Sequence, residues 1–150
     1  MMEIRCIAQD KKRYIDLLLL ADEQESMIDR YLERGDMYAG IEGERAVCVC
    51  VVTDEGEGVL EIKNLAVAPE KQGHGYGRVM IDFVARTYRD RFSVLRVGTG
   101  ESPLTLPFYE KCGFEIAGRI ENFFTDNYDH PIIEGGVLLR DMVILERGIQ

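Results

Sequence analysis

The sequence predicts a mixed α/β domain around one sheet, in the element order βααβββαβαββ, with mostly antiparallel strands and one central parallel pair. Three observations carry that expectation. Short strand-like segments punctuated by EGE and DEGEG fill residues 37–67, the pattern of an antiparallel meander. A strand, an amphipathic helix and another strand follow over residues 59–99, and a crossover of this kind joins parallel neighbours. At 150 residues and 17.1 kDa, without repeats, linkers or low-complexity stretches, residues 1–150 are expected to form a single domain with a sizeable core.

The elements follow in order. EIRCIA (3–8) alternates polar and apolar residues and reads as the first strand. From Lys11 to about Gly35 the pattern is helical, in two short helices. Tyr14, Leu17, Leu18 and Ala21 make one stripe, and Met27, Ile28, Tyr31 and Leu32 the other. MYAGI (37–41), RAVCVCVV (45–52) and VLEIKNLAV (59–67) are the meander strands. After QGHGYG, the residues Val79, Met80, Phe83, Val84, Thr87 and Tyr88 recur at helical spacing, and SVLRVGT (93–99) is the next strand. LPFYEKCGF reads as a short helix closed by Gly113 in the left-handed conformation. FEIAGRIE (114–121) and GVLLRDMVIL (136–145) are the last strands, joined by a long loop rich in aromatic and acidic residues.

Composition narrows the function. Apolar residues make up 46% and charged residues 30%, as in soluble globular proteins. No apolar run approaches the ~18–20 residues of a membrane span, and the N-terminus lacks a signal-peptide layout, so a cytoplasmic protein with no membrane partner is expected. The 18 basic and 27 acidic residues leave a net charge of −9, which disfavours nucleic acid. Such acidity suits a cationic small substrate, or serves solubility alone. Cys6, Cys48, Cys50 and Cys112 have no metal-ligand spacing, and no metal is expected. They read as buried small hydrophobes in a reducing compartment, with Cys48 and Cys50 on one strand face.

QGHGYG (72–77) places three glycines directly before a helix. A loop of this kind presents unpaired N–H groups at the positive end of the helix dipole, an arrangement suited to a phosphate. The dinucleotide fingerprint G-x-G-x-x-G fails, because Arg78 stands where its third glycine belongs. The P-loop fails because Gly77 is followed by Arg78 and Val79. Gln72, Gly75 and Gly77 do match Q/R-x-x-G-x-G/A, and FYEKCGF follows at the expected separation. On these two blocks the chain resembles the GCN5-related N-acetyltransferase (GNAT) superfamily, with the element order shared over roughly residues 3–146.

The resemblance implies a sheet splayed at its central parallel pair, with acetyl-CoA in the splay as co-substrate. It places Leu65, Ala66 and Val67 along the coenzyme, with the Val67 N–H on the thioester carbonyl. The pyrophosphate would lie on the backbone of Gln72, Gly73, His74, Gly75, Tyr76 and Gly77. Arg78 would add charge there, or else be a solvated helix residue. Tyr109 matches the usual general acid, since a departing thiolate needs a proton; packing beside Phe108 is the plainer role. Glu61, fourteen residues before Gly75, is the candidate base for the amine. A solvent-facing Glu61, with a water chain as base, stays open. Cys112 lies in the last turn of its helix, a poor place for a thiolate, so direct transfer is favoured over an acyl-cysteine. Where many relatives carry an Asn contacting the coenzyme arm, this chain reads GTGESPLTLP. Ser102 is the candidate replacement, capping a helix begun at Pro103, with Pro107 expected to break that helix.

The expected activity is transfer of an acetyl group to a primary amine, small or cationic. Asp22, Glu23, Glu25, Asp126, Asp129 and Glu134 would attract it, and Phe123, Phe124 and Tyr128 would form a wall or lid. The plainer reading makes the acids solvated and the aromatics a core or homodimer contact. The rival function is an acyl-CoA-binding regulatory domain without turnover.

Overall fold

The computed structural model describes residues 2–150. Its main sheet has seven strands in the order β1-β2-β3-β4-β5-β9-β6. These are β1 (Glu3–Ile7), β2 (Asp36–Glu42), β3 (Arg45–Asp54), β4 (Val59–Val67), β5 (Val94–Gly100), β6 (Glu115–Ile120) and β9 (Met142–Gly148). A small hairpin of β7 (Ile133–Glu134) and β8 (Val137–Leu138) stands apart. The meander β2–β3–β4 is antiparallel, and β4–β5 is the parallel pair.

Helices cover both faces. On one lie α3 (Tyr76–Tyr88) and α4 (Leu106–Lys111), which pack on Cys48, Cys50 and Val52 of β3. On the other lie α1 (Ile15–Ala21) and α2 (Glu25–Ile28), which pack on Val49 and Val51. The strict two-residue period of β3 thus serves two cores, and Cys48 and Cys50 do share a face. Burial drives the Cys48 thiol pKa up to about 12 and the Cys50 thiol higher still, so both behave as hydrophobes. Cys6 is the exception, because β1 is an outer strand and leaves it exposed.

The buried face of α3 is Met80, Ile81, Val84, Ala85 and Tyr88. Ile81 and Ala85 take the places the sequence pattern assigned to Val79 and Thr87, both of which are exposed. Each large side chain buried there contributes about 1.5–3 kcal/mol. The first helical region opens as a 3₁₀ turn over Lys11–Tyr14, and Leu18 is the fully buried anchor of α1. Lys11 is buried and donates to Leu32 O at 2.8 Å and Gly35 O at 2.7 Å, closing the turns that follow α2.

The long loop after β6 is more structured than its composition implied. It contains α5 (Phe123–Asn127), and Gly135 and Gly136 turn the β7–β8 hairpin with φ of 58° and 78°. Two consecutive positive φ values are the geometry of a tight hairpin turn. The segment expected as one strand from 136 is therefore split, and β9 begins at Met142.

Candidate active site

Pairing between β4 and β5 runs from Val59–Val94 to Ile62–Val97 and ends there. At the same level Val52 faces Ile62 whereas Val51 faces Asn64, so Lys63 is an extra residue in β4. A bulge of this kind bends and twists its strand, and β4 leaves β5 at this point. The bulge also resets which residues share a face. Leu60 and Ile62 pack toward α3 before it, and Leu65 and Val67 do so after it. Asn64 and Ala66 turn to the α1 side, where Asn64 Nδ2 donates to Leu18 O at 2.9 Å. The Ala68 N–H donates to Val47 O at 2.8 Å. Alternation along an antiparallel pair then turns the Val67 N–H away from β3, into the opening between β4 and β5.

The glycine loop bridges the end of β4 and the start of α3. Gly75 is the helix N-cap at φ 84°, and no side chain caps the helix. The first-turn N–H groups are therefore available at the positive end of a 13-residue helix. Gly73 (φ 80°) and Gly75 need glycine for backbone conformation, and a Cβ at either would meet nothing within 4 Å. Gly77 is different, since a Cβ there would lie 2.9 Å from Phe108 Cζ. Its absence lets α3 approach α4, a packing reason that the motif alone does not reveal.

Side chains brace this loop. Gln72 Nε2 donates to Val67 O at 3.1 Å, tying the loop back to β4. Tyr76 donates to Glu42, and Lys71 pairs with the same carboxylate at 2.6 Å. Those two contacts hold the Glu42 pKa down to about 2. His74 is exposed, beside Tyr76. Arg78 is exposed in the first turn of α3 and forms no ion pair among the described residues.

On α4 the ring of Tyr109 is buried between Phe108 and Phe114, at centroid distances of 5.0 and 5.5 Å. Burial pushes its pKa well above the ordinary phenol value, aided by Cys50, Cys112 and Glu134. The hydroxyl therefore stays protonated and available as a donor. Gly113 at φ 93° closes the helix, and the Phe114 N–H donates to Tyr109 O at 3.1 Å. Pro107 causes no break, because α4 starts at Leu106 and a proline in the first turn loses no helical hydrogen bond. Ser102 is buried; its hydroxyl accepts from the Leu104 N–H at 3.0 Å, capping a turn ahead of α4 instead of a helix from Pro103. The Cys112 thiol is buried and its pKa raised mainly by that burial, which argues further against a thiolate.

On the α1–α2 side of the sheet lies a cleft of about 640 Å³ whose lining includes Glu61, Asp22, Phe123 and Tyr128. Glu61 is 9% exposed and does not face open solvent. It pairs with Lys63 at 2.6 Å and lies 3.9 Å from Arg96. The Asp22 carboxylate accepts from Tyr128 at 2.6 Å and from Tyr31 at 2.9 Å. Burial raises its pKa, and those hydrogen bonds pull the other way. Of the six acids expected around the acceptor, only Asp22 lines the cleft. Glu23 and Asp129 are engaged with His130, and Glu25 pairs with Lys12. Phe124 lies in a small core with Ile132 and Leu139, while Phe123 and Tyr128 reach the cleft wall. Sequence reasoning missed the cations Arg30, Arg34, Lys63, Arg96 and Arg119 that also line it. The alternation of β5 and the register Glu61–Arg96 were the available signal for one of them.

Among the described residues, no cluster of His, Cys, Asp or Glu is placed to hold a metal, and no helix is long and apolar enough to cross a membrane. Comparison with known proteins gives a consistent result. The acetyltransferase (GNAT) domain family matches residues 33–116. YvbK, an uncharacterized N-acetyltransferase of Bacillus subtilis, is 37% identical over 132 residues, 87% of this chain and 85% of its own. A GNAT family acetyltransferase from Elizabethkingia anophelis, solved with acetyl-CoA bound, superposes with a TM-score of 0.92 at 34% identity, covering 98% of this chain and 97% of that one. A Bacillus subtilis acetyltransferase in complex with CoA gives 0.90 at 33% identity, covering 99% of each chain. With the splayed parallel pair, the glycine loop opening α3 and the tyrosine of α4 all in place, these matches show that the chain belongs to the GNAT acetyltransferase family.

Proposed function

We propose that the protein transfers an acetyl group from acetyl-CoA directly to a primary amine, with both substrates bound at once. The observation that carries this reading is the opening beyond Ile62 and Val97, toward which the Val67 N–H turns. Two relatives at 33–34% identity, one with acetyl-CoA bound and one in complex with CoA, support the donor assignment. The uncapped first turn of α3 and the exposed cation of Arg78 suit its diphosphate.

Bound acetyl-CoA supplies an activated acyl group with a thiolate leaving group. The chain's residues do the rest. The Val67 N–H faces the charge that builds on the carbonyl oxygen. Glu61 takes the proton that an ammonium must lose before its nitrogen can form the C–N bond, after its pairing with Lys63 loosens. Tyr109 donates to the sulfur as the C–S bond breaks. The burial that raises the phenol pKa also raises that of a thiol in the same pocket, so proton transfer between them is not blocked. Gln72, Gly73, Gly75 and Gly77 shape the diphosphate loop. Leu65, Ala66 and Ser102 flank the coenzyme arm at the ends of the two diverging strands.

The test is thiol release from acetyl-CoA over a panel of amines, with Tyr109→Phe alongside. Wild type should turn over at least one amine, and the variant should lose about 100-fold or more in kcat with acetyl-CoA affinity little changed. Tight coenzyme binding without release for any amine would refute transfer, and an unaffected Tyr109→Phe would remove that residue from the chemistry.

A further inference from the structure

The protein carries a net charge of −9, yet the charges lining its 640 Å³ cleft nearly balance. Five cations line it, Arg30, Arg34, Lys63, Arg96 and Arg119, against three acids, Asp22, Glu61 and Glu146. Two of those cations are committed to acids outside the cleft. Arg34 pairs with Glu55, and Arg119 pairs with Glu101 and Asp141. Lys63 and Arg96 pair on the floor, with Glu61 and Glu146. Arg30 forms no ion pair among the described residues; its guanidinium donates only to Asn127 Oδ1, at 3.1 Å. Its side chain is exposed at the rim, where Tyr31 and Tyr128 already engage the Asp22 carboxylate.

We propose that the acceptor is a small amine that also bears a carboxylate, and that Arg30, with Lys63 and Arg96 on the floor, holds that anionic end. This rests on the transferase reading above and replaces the cationic acceptor that the acidic composition suggested. An arginine at a cleft rim without a carboxylate partner offers a bidentate fork to an incoming carboxylate. Asp22 feels the Arg30 charge through space but does not pair with it among the described residues, its oxygens accepting instead from Tyr31 and Tyr128. There is a catalytic consequence. The Glu61–Lys63 pair stands between Glu61 and the amine proton, and an anionic group that draws Lys63 to itself frees Glu61 to act as base. The acceptor's charge would thus select it and also release the group that activates it.

The test uses three acceptors of equal length: 5-aminopentanoate, its primary amide and 1,5-diaminopentane, together with α-amino acids and their amides. Thiol release should favour the carboxylates over the matched amides and diamine by about 10-fold or more in kcat/KM. Arg30→Gln, at an exposed position whose tie to the fold is one hydrogen bond to Asn127, should remove most of that preference through KM, leaving the amides within about threefold and acetyl-CoA affinity unchanged. A preference for the diamine or the amides overturns the inference and leaves the transferase reading intact. So does an Arg30→Gln loss shared equally by all acceptors. If no amine releases thiol, calorimetry on the CoA-loaded protein decides. Binding of carboxylates over amides upholds the anionic subsite while transfer fails, and absence of that preference overturns both.

Discussion

Gly77 offers a sharp test of how the coenzyme loop and the α4 tyrosine are coupled. A Cβ at this position would lie 2.9 Å from Phe108 Cζ and 3.3 Å from Cε1. Phe108 is only partly buried, so its ring can shift, and overpacking of this degree costs about 1–3 kcal/mol. Alanine in place of glycine inside a helix returns at most about 1 kcal/mol. Gly77→Ala should therefore destabilise by about 0–2 kcal/mol in urea denaturation. In a Phe108→Leu background the clash is gone and the same change should stabilise by about 0.5–1 kcal/mol. The double-mutant cycle should thus give a coupling of about 1–3 kcal/mol. Because Phe108 meets Tyr109 edge to face at 5.0 Å, Gly77→Ala should also lower kcat more than it changes acetyl-CoA affinity. Gly75→Ala is the control. Its strain is left-handed backbone at φ 84°, worth about 1–2 kcal/mol, with no ring nearby to couple to. A Gly77–Phe108 coupling below about 0.5 kcal/mol, or equal coupling of Gly75 to Phe108, would refute the division of roles between the two glycines.

Three further outcomes are expected. Glu61→Gln should lower kcat by about 100-fold or more near neutral pH, and the deficit should close as pH rises toward an amine pKa near ~10 and the acceptor arrives deprotonated; a pH-independent deficit would count against the base role. The Glu42 pKa is depressed to about 2 by Lys71 and Tyr76, so its clamp on the glycine loop is fully present above the ordinary carboxylate range and is lost as pH falls toward 2. Denaturation of wild type and Glu42→Gln from pH 6 to 3 should show the stability gap between them narrowing on acidification, and a widening gap would contradict the sign. Lys11→Met leaves two buried carbonyls, Leu32 O and Gly35 O, without their donor, and should cost about 2–4 kcal/mol in urea denaturation, whereas an effect under about 0.5 kcal/mol would mean that water replaces the ammonium.

Much of this protein was legible before its structure. AVCVCVV announced a strand with Cys48 and Cys50 on one face, Gly113 announced the end of α4, and QGHGYG with FYEKCGF announced the family. Some signals were present but misread. Gly135–Gly136 is a hairpin turn with its own sequence signature, whereas the apolar pattern alone starts a strand at Gly136. A helix begun at Pro103 makes Pro107 a breaker, but α4 starts three residues later, and at its second position the proline is harmless.

By itself, then, the sequence determined the elements, their alternation and the loop that suits a diphosphate, because these depend on neighbours a few residues apart. Only the tertiary structure decided three things. The bulge at Lys63 depends on the register between β4 and β3, and it is what parts β4 from β5. The need for glycine at position 77 depends on a ring thirty-one residues away. The charge balance of the cleft depends on cations drawn from the turns after α2 and from strands β4, β5 and β6. Net charge sums over the whole surface and carries no direction, so an acidic chain can fold a charge-balanced cleft with an arginine at its rim without its composition showing it.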